Sequence, residues 1–202
     1  MPKMSEEKKK TWIAITGSIA SGKSSVMKYL KEKGYHVVDC DAINFDLQRK
    51  KAAGYQKIVD AFGTDILDMD QNLDRKKLAH IIFSDASAKK TLEEIMHPLI
   101  FKELEKIREN SDEDVYVEVP LLFELGWENA FDESWLIVSP SSQLMERCVQ
   151  FRNMNQKEVE SRLASQMDVE EKKKRADVII NNTATLFDLY QQIDALLERR
   201  KS

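Results

Sequence analysis

The sequence predicts an α/β fold, a parallel five-stranded sheet with helices on both faces. Three observations predict it. Five short apolar runs, at residues 12–16, 35–38, 115–119, 135–139 and 176–180, alternate with segments of helical periodicity, the signature of strand–helix–strand crossovers. The first run passes into a glycine-bounded loop and then a helix. The long stretch between the second and third runs is all helix, as expected of an insertion into such a sheet.

Residues 17–24 read GSIASGKS, the phosphate-loop spacing G-x-x-x-x-G-K-[ST] in its confirming strand–loop–helix context. Gly17 and Gly22 allow a close backbone approach that a Cβ would forbid. Successive N–H groups from Ser18 through Ile19, Ala20, Ser21 and Gly22 to Ser24 can converge on phosphate oxygens, and the new helix adds its positive end. Lys23 offers a point charge to β- and γ-phosphates, and the Ser24 hydroxyl is placed to ligate Mg²⁺ directly. The competing reading is a surface turn that carries a lysine by chance. With 6 glycines in 202 residues, chance is the weaker account.

The second run ends in Asp39, Cys40 and Asp41. Carboxylates past the carboxyl end of a strand lie where α/β sheets bind ligands, and one of them can take a proton from a hydroxyl. The alternative role for either is a helix N-cap. Residues 42–62 read as helix with a break near Gly54, and 63–72 as a turn-rich connector. Asp74 is expected to cap a helix through Phe83, and Ser84 another that runs to about Met96. His97-Pro98 then punctuates, and 99–109 is helical again. A His before Pro is more often a kink than a ligand.

Glu118 falls near the end of the third run. It suits a carboxylate that holds Mg²⁺ through water, or a satisfied polar group at a strand edge. After the fourth run, Ser141 or Ser142 is expected to cap a helix with Arg147, Cys148 and Arg152. The polar region that follows mixes both charge signs. It reads as a solvated helix pair or as a mobile lid, and its place after the fourth strand favours the lid. A closing amphipathic helix spans 186–199.

Charged residues make up 33% and the net charge is −4, which gives no electrostatic case for nucleic acid. Two cysteines lack a CxxC partner and three histidines lack ligand spacing, so no zinc site is expected. No apolar stretch nears the ~18 residues of a membrane span. These features predict a reduced cytoplasmic protein with no membrane and no obligate protein partner. Residues 1–11 read as a loose leader.

Four later stretches carry a resemblance that the phosphate loop alone does not. They are VVDCD at 37–41, LEEIMHPLI at 92–100, VPLLFE at 119–124, and the set Gln166, Met167, Glu171, Lys172, Ala176, Asp177, Ile180 and Asn182. With these, residues 12–197 resemble the dephospho-CoA kinase family. The resemblance implies a three-layer P-loop kinase core (12–42, 112–146 and 176–202), a CoA-binding helical subdomain (43–107) and a lid (147–175). It implies phosphorylation of the ribose 3′-hydroxyl of dephospho-CoA by ATP with Mg²⁺. Asp41 falls on the family's catalytic base, and Arg152 on a lid arginine that meets the transferring phosphoryl group. ATP contacts are implied for residues 17–25, Ser25 included, and for Arg147. Substrate contacts are implied for Asp39, Asp41, His97 and Leu121. The chain departs from the pattern at Ser18 and Ala20, where glycine is usual, and at Ser25, Glu118, Asn153 and Thr183-Ala184. Phe45 stands where a basic residue is usual.

Another P-loop kinase, acting on a nucleoside or its monophosphate, would share the loop but not the HPLI and PLLFE stretches. A GTPase would want an Asn/Thr-Lys-x-Asp string, and Asn155-Gln-Lys-Glu fails it.

Overall fold

The computed structural model describes residues 10–201, with side chains through Arg200. All but the last two residues of the expected leader therefore lie outside the described residues. Strand β1 (Trp12–Gly17) is buried along its whole length, as an interior parallel strand requires. The sheet contains β1, β2 (His36–Asp39), β3 (Val115–Glu118), β4 (Glu133–Val138) and β5 (Val178–Asn181) in the order β2-β3-β1-β4-β5. β1 pairs in parallel with β3 on one side and β4 on the other, and β4 with β5. The chain leaves β1 toward β2 and leaves β4 toward β5, in opposite directions. That divergence opens a crevice beside the carboxyl end of β1.

The chain divides into two compact units. The first, through Val38 and again from Asp112, holds the sheet. Helices α1 (Lys23–Glu32) and α9 (Leu186–Lys201) cover one face, where Val26 and Leu30 meet Ile13, Ile15, Tyr116, Trp135, Leu189 and Ile193 in one core. Tyr29 and Tyr190 stack at 3.9 Å between these helices. Asp177 staples the start of β5 to β4: its carboxylate accepts from the Ser134 N–H at 2.8 Å and hydroxyl at 2.6 Å. Three more helices belong to this unit: α6 (Ser141–Arg152), α7 (Gln156–Ala164) and α8 (Val169–Arg175). No described helix is long and apolar enough to cross a membrane.

The second unit, Asp39–Ser111, is helical. It contains α2 (Cys40–Leu47), α3 (Tyr55–Phe62), α4 (Arg75–Ser84) and α5 (Ala86–Asn110). Here three local expectations fail. Residues 48–54 form turns rather than helix. Asp85, not Ser84, caps α5, while the Ser84 hydroxyl donates to the His80 and Ile81 carbonyls and closes α4. Pro98 does not divide the last helix, which runs unbroken through it. A mid-helix proline costs about 3 kcal/mol. Met96, Ile100 and Leu104 are buried at i, i+4 and i+8 across it. Burial of one continuous apolar face, at roughly 2 kcal/mol per side chain, offsets that cost. In the first unit, Pro140 rather than a serine occupies the N-cap of α6, where its fixed φ suits the entry.

Candidate active site

The turn from β1 into α1 needs glycine at two positions. Gly17 has φ +150, and a Cβ there would strike the Ile137 carbonyl of β4 and lie 2.6 Å from Ser21 Oγ. Gly22 has φ +110, and a Cβ there would strike the Asn182 amide. The loop is tied down from behind. Asn182, 4% exposed, donates its amide to the Ser21 carbonyl at 2.8 Å. The Ser139 hydroxyl lies 3.1 Å from that carbonyl and 2.9 Å from the Asn182 carbonyl. Both residues come from the carboxyl ends of the neighbouring strands β4 and β5, so the sheet itself holds the loop.

Lys23 is buried, and its ammonium donates to the loop carbonyls of Gly17 at 2.9 Å and Ser18 at 3.1 Å. Ile19 turns inward and packs with Cys148 of α6 and Val159 of α7. Its N–H meets the Gln166 side chain at 3.4 Å. The Arg147 guanidinium donates to the Ala20 carbonyl at 3.3 Å, the Ser139 hydroxyl at 3.0 Å and the Gln143 side chain at 3.0 Å. It is therefore braced against the loop.

A cleft of about 320 Å³ lies over this loop. Ala20 through Ser25 form its floor. Arg147, Phe151 and Arg152 of α6 form one wall, and Asn182, Ala184 and Leu186 another. The structure thus brings together Lys23, Ser24, Ser25, Arg147 and Arg152 of the expected site. Gly17, Ser18 and Ile19 shape the loop but do not line the cleft. Glu118 ends β3 opposite Ile15, and the half-exposed Leu121 follows in the turn after it. Asp39, Asp41 and His97 belong to the second unit. There the Asp39 carboxylate caps α2, accepting from the Asp41 N–H at 2.8 Å and the Ala42 N–H at 3.2 Å. Asp41 stands exposed in the first turn of that helix. Burial lowers the pKa of His97, opposed by the charge of Glu93.

The family model for dephospho-CoA kinase matches residues 11–188. The chain belongs to the dephospho-CoA kinase family. This dephospho-CoA kinase family member is 37% identical over 192 residues to the dephospho-CoA kinase of Lactobacillus johnsonii, 93% of this chain and 96% of that one. Among solved structures it is similar to a Thermus thermophilus protein, TT1252, with TM-score 0.82 and 34% identity over 94% of this chain and 97% of that one. It is also similar to dephospho-CoA kinase from Campylobacter jejuni, with TM-score 0.63 and 29% identity over 95% and 97%.

Two departures of this dephospho-CoA kinase family member acquire a structural meaning. Ala20 holds φ +60 and Asn153 φ +51, both left-handed. Asn153 is the C-cap that stops α6 directly after Arg152, and asparagine tolerates that conformation better than most residues. The string at Asn155 that fails as a guanine motif is a capping box, with Asn155 and Glu158 exchanging bonds at the start of α7. Reading residues alone missed the roles of Ser139, Gln143 and Asn182. Asn182 stood at the end of the fifth run and among the residues of the resemblance, without a role, and nothing in the sequence marked Ser139 as an anchor.

Proposed function

We propose that this chain transfers the γ-phosphoryl group of ATP to the ribose 3′-hydroxyl of dephospho-CoA, giving coenzyme A and ADP in the last step of CoA synthesis. The observation that carries the reading is the cleft itself. It joins Lys23 and Ser24 on its floor to Arg147 and Arg152 on its wall, in a chain of the dephospho-CoA kinase family. Residues 17–25 cradle the triphosphate. The Lys23 ammonium exchanges its loop carbonyls for β- and γ-phosphate oxygens, so its charge is already desolvated and aimed. Arg147 contacts the nucleotide from its brace on the loop. Arg152 meets the charge that grows on the transferring group, as phosphoryl transfer rests on positioning and charge neutralisation.

The residues fit a magnesium ion. Ser24 sits in the cleft with its hydroxyl unspent on any described partner, and Glu118 brings an oxygen donor to the end of the adjacent strand. The described residues contain no cluster of three or more metal-binding side chains. Mg²⁺ bound mainly by phosphates and water, with one or two protein oxygens, needs none. When bound, the ion draws charge from the β- and γ-phosphate oxygens.

Asp41 orients the 3′-hydroxyl and takes its proton. Asp39 keeps one carboxylate oxygen engaged in the α2 cap, which supports Asp41 over Asp39 as the base. Asp39, His97 and Leu121 are each assigned a contact with the acceptor, with 43–107 as the substrate subdomain and 147–175 as a lid that excludes water. Neither Cys40 nor Cys148 forms a disulfide, which supports a cytoplasmic setting. The reading needs no nucleic acid, membrane or obligate protein partner.

ADP release with Mg-ATP is measured with dephospho-CoA, adenosine, AMP, UMP and pantetheine offered separately. The expected result is turnover with dephospho-CoA alone, with CoA identified by mass. Turnover with a nucleoside or a monophosphate in its place would retire the proposed acceptor.

A further inference from the structure

Within the second unit, one guanidinium is held by an aromatic ring and by no carboxylate. Arg75, the first residue of α4, stacks over the Phe45 ring with its guanidinium carbon 3.6 Å from the ring centroid. No carboxylate among the described residues pairs with it. Two neighbouring cations, Lys77 and Arg49, are committed elsewhere. Lys77 donates to the Asp65 and Leu67 carbonyls at 3.0 and 3.2 Å. Arg49 lies 5.2 Å from the same ring but pairs with Asp46 at 3.0 Å.

The ring does two things for Arg75. It shields one face of the guanidinium from water, and it fixes the plane in which five N–H donors point outward. A planar fork held in that way is built for a phosphate group. Its position identifies which phosphate. Asp41 and Phe45 are four residues apart on α2, so they share one helix face about 6 Å apart along the axis. A dephospho-CoA ribose that offers its 3′-hydroxyl to Asp41 carries its diphosphate on the 5′ side of the same sugar, a few bonds away.

We propose that Arg75, shelved on Phe45, binds the 5′-diphosphate of the acceptor and so selects a diphosphate-bearing substrate over a bare nucleoside. This rests on dephospho-CoA being the acceptor and on Asp41 being the base. An aromatic residue at position 45 then contributes to substrate binding by aiming a cation from another helix.

Steady-state kinetics of the full chain with Arg75→Ala, Arg75→Lys and Phe45→Leu test this, with the melting temperature of each variant as a check on folding. Arg75→Ala is expected to raise KM for dephospho-CoA at least tenfold, with KM for ATP within twofold of the unaltered chain. Arg75→Lys keeps the charge but loses the fork, and Phe45→Leu keeps apolar volume but loses the ring. Both should fall between. The dependence of dephospho-CoA KM on salt should flatten in Arg75→Ala, because one phosphate contact is gone. An unchanged dephospho-CoA KM in a folded Arg75→Ala chain would overturn the inference while leaving the acceptor assignment intact. Failure of the unaltered chain to make CoA would overturn both.

Discussion

Ala20 carries a methyl group where the phosphate loop turns through φ +60. For an L-residue that conformation costs about 1–2 kcal/mol. Ala20→Gly removes the cost but adds about 0.5–1 kcal/mol of unfolded-state freedom. The net expectation is a stabilisation of up to about 1.5 kcal/mol, read from urea unfolding, with activity retained. A loss of stability would show that the methyl group packs usefully in the cleft floor. The two acidic residues beside α2 separate by the same kind of reasoning. Asn caps a helix about as well as Asp, so Asp39→Asn should keep α2 and kcat, with its effect confined to the KM for dephospho-CoA. Asp41→Asn removes the proposed base, and kcat should fall by two orders of magnitude or more at unaltered ATP KM. The reverse ranking would move the base to Asp39.

At the scale of elements, α8 is held by a buried charge pair. Lys172, 0% exposed, brings its ammonium within 2.7 Å of Glu124 Oε1 in the turn region after β3. The same oxygen accepts from the Met167 N–H at 3.0 Å, just before α8. Arg175, at the end of α8, pairs with Glu128. Lys172 Nζ and Glu124 Oε2 find no aligned hydrogen-bond partner among the described residues, so charge holds the pair. Glu124→Gln should cost about 3–5 kcal/mol by leaving the ammonium uncompensated. Adding Lys172→Met to it should recover most of that loss. Two independent, additive losses in the double-mutant cycle would show that the pair does not act as one unit.

For the molecule as a whole, the sequence shows which pieces exist better than which pieces meet. Periodicity located all five strands, because each buries an apolar run. It carried no information on the order β2-β3-β1-β4-β5, which depends on contacts between distant segments. The phosphate loop was legible because its function is local. Its anchors were not, because Asn182 reaches the Ser21 carbonyl across 161 residues of chain. Pro98 misled a local reading because packing of Met96, Ile100 and Leu104 overrides propensity. In the site, Lys23 and Ser24 could be named from spacing, whereas the stack of Arg75 on Phe45 joins two helices that no local pattern connects. Stability of the whole chain should also depend on pH through His97. Burial depresses its native pKa below the usual 6.5, so the native state favours the neutral ring. The unfolded chain binds more protons in the interval between the two values. Stability should therefore be complete above pH 6.5 and fall as pH drops through the native value. His97→Gln should flatten that part of a pH series of melting temperatures, and an unchanged slope would remove His97 as its source.

Cys148 lies at 0% exposure under Ile19, between α6 and α7. A thiol reagent can reach its sulfur only when those helices part from the phosphate loop. In a Cys40→Ala chain, the alkylation rate of Cys148 divided by that of a free thiol is then an equilibrium constant for this opening. Nucleotide held by the loop should slow the reaction in proportion to its occupancy. The buried sulfur turns a motion that crystallographic snapshots average away into a rate that a mass spectrometer can count.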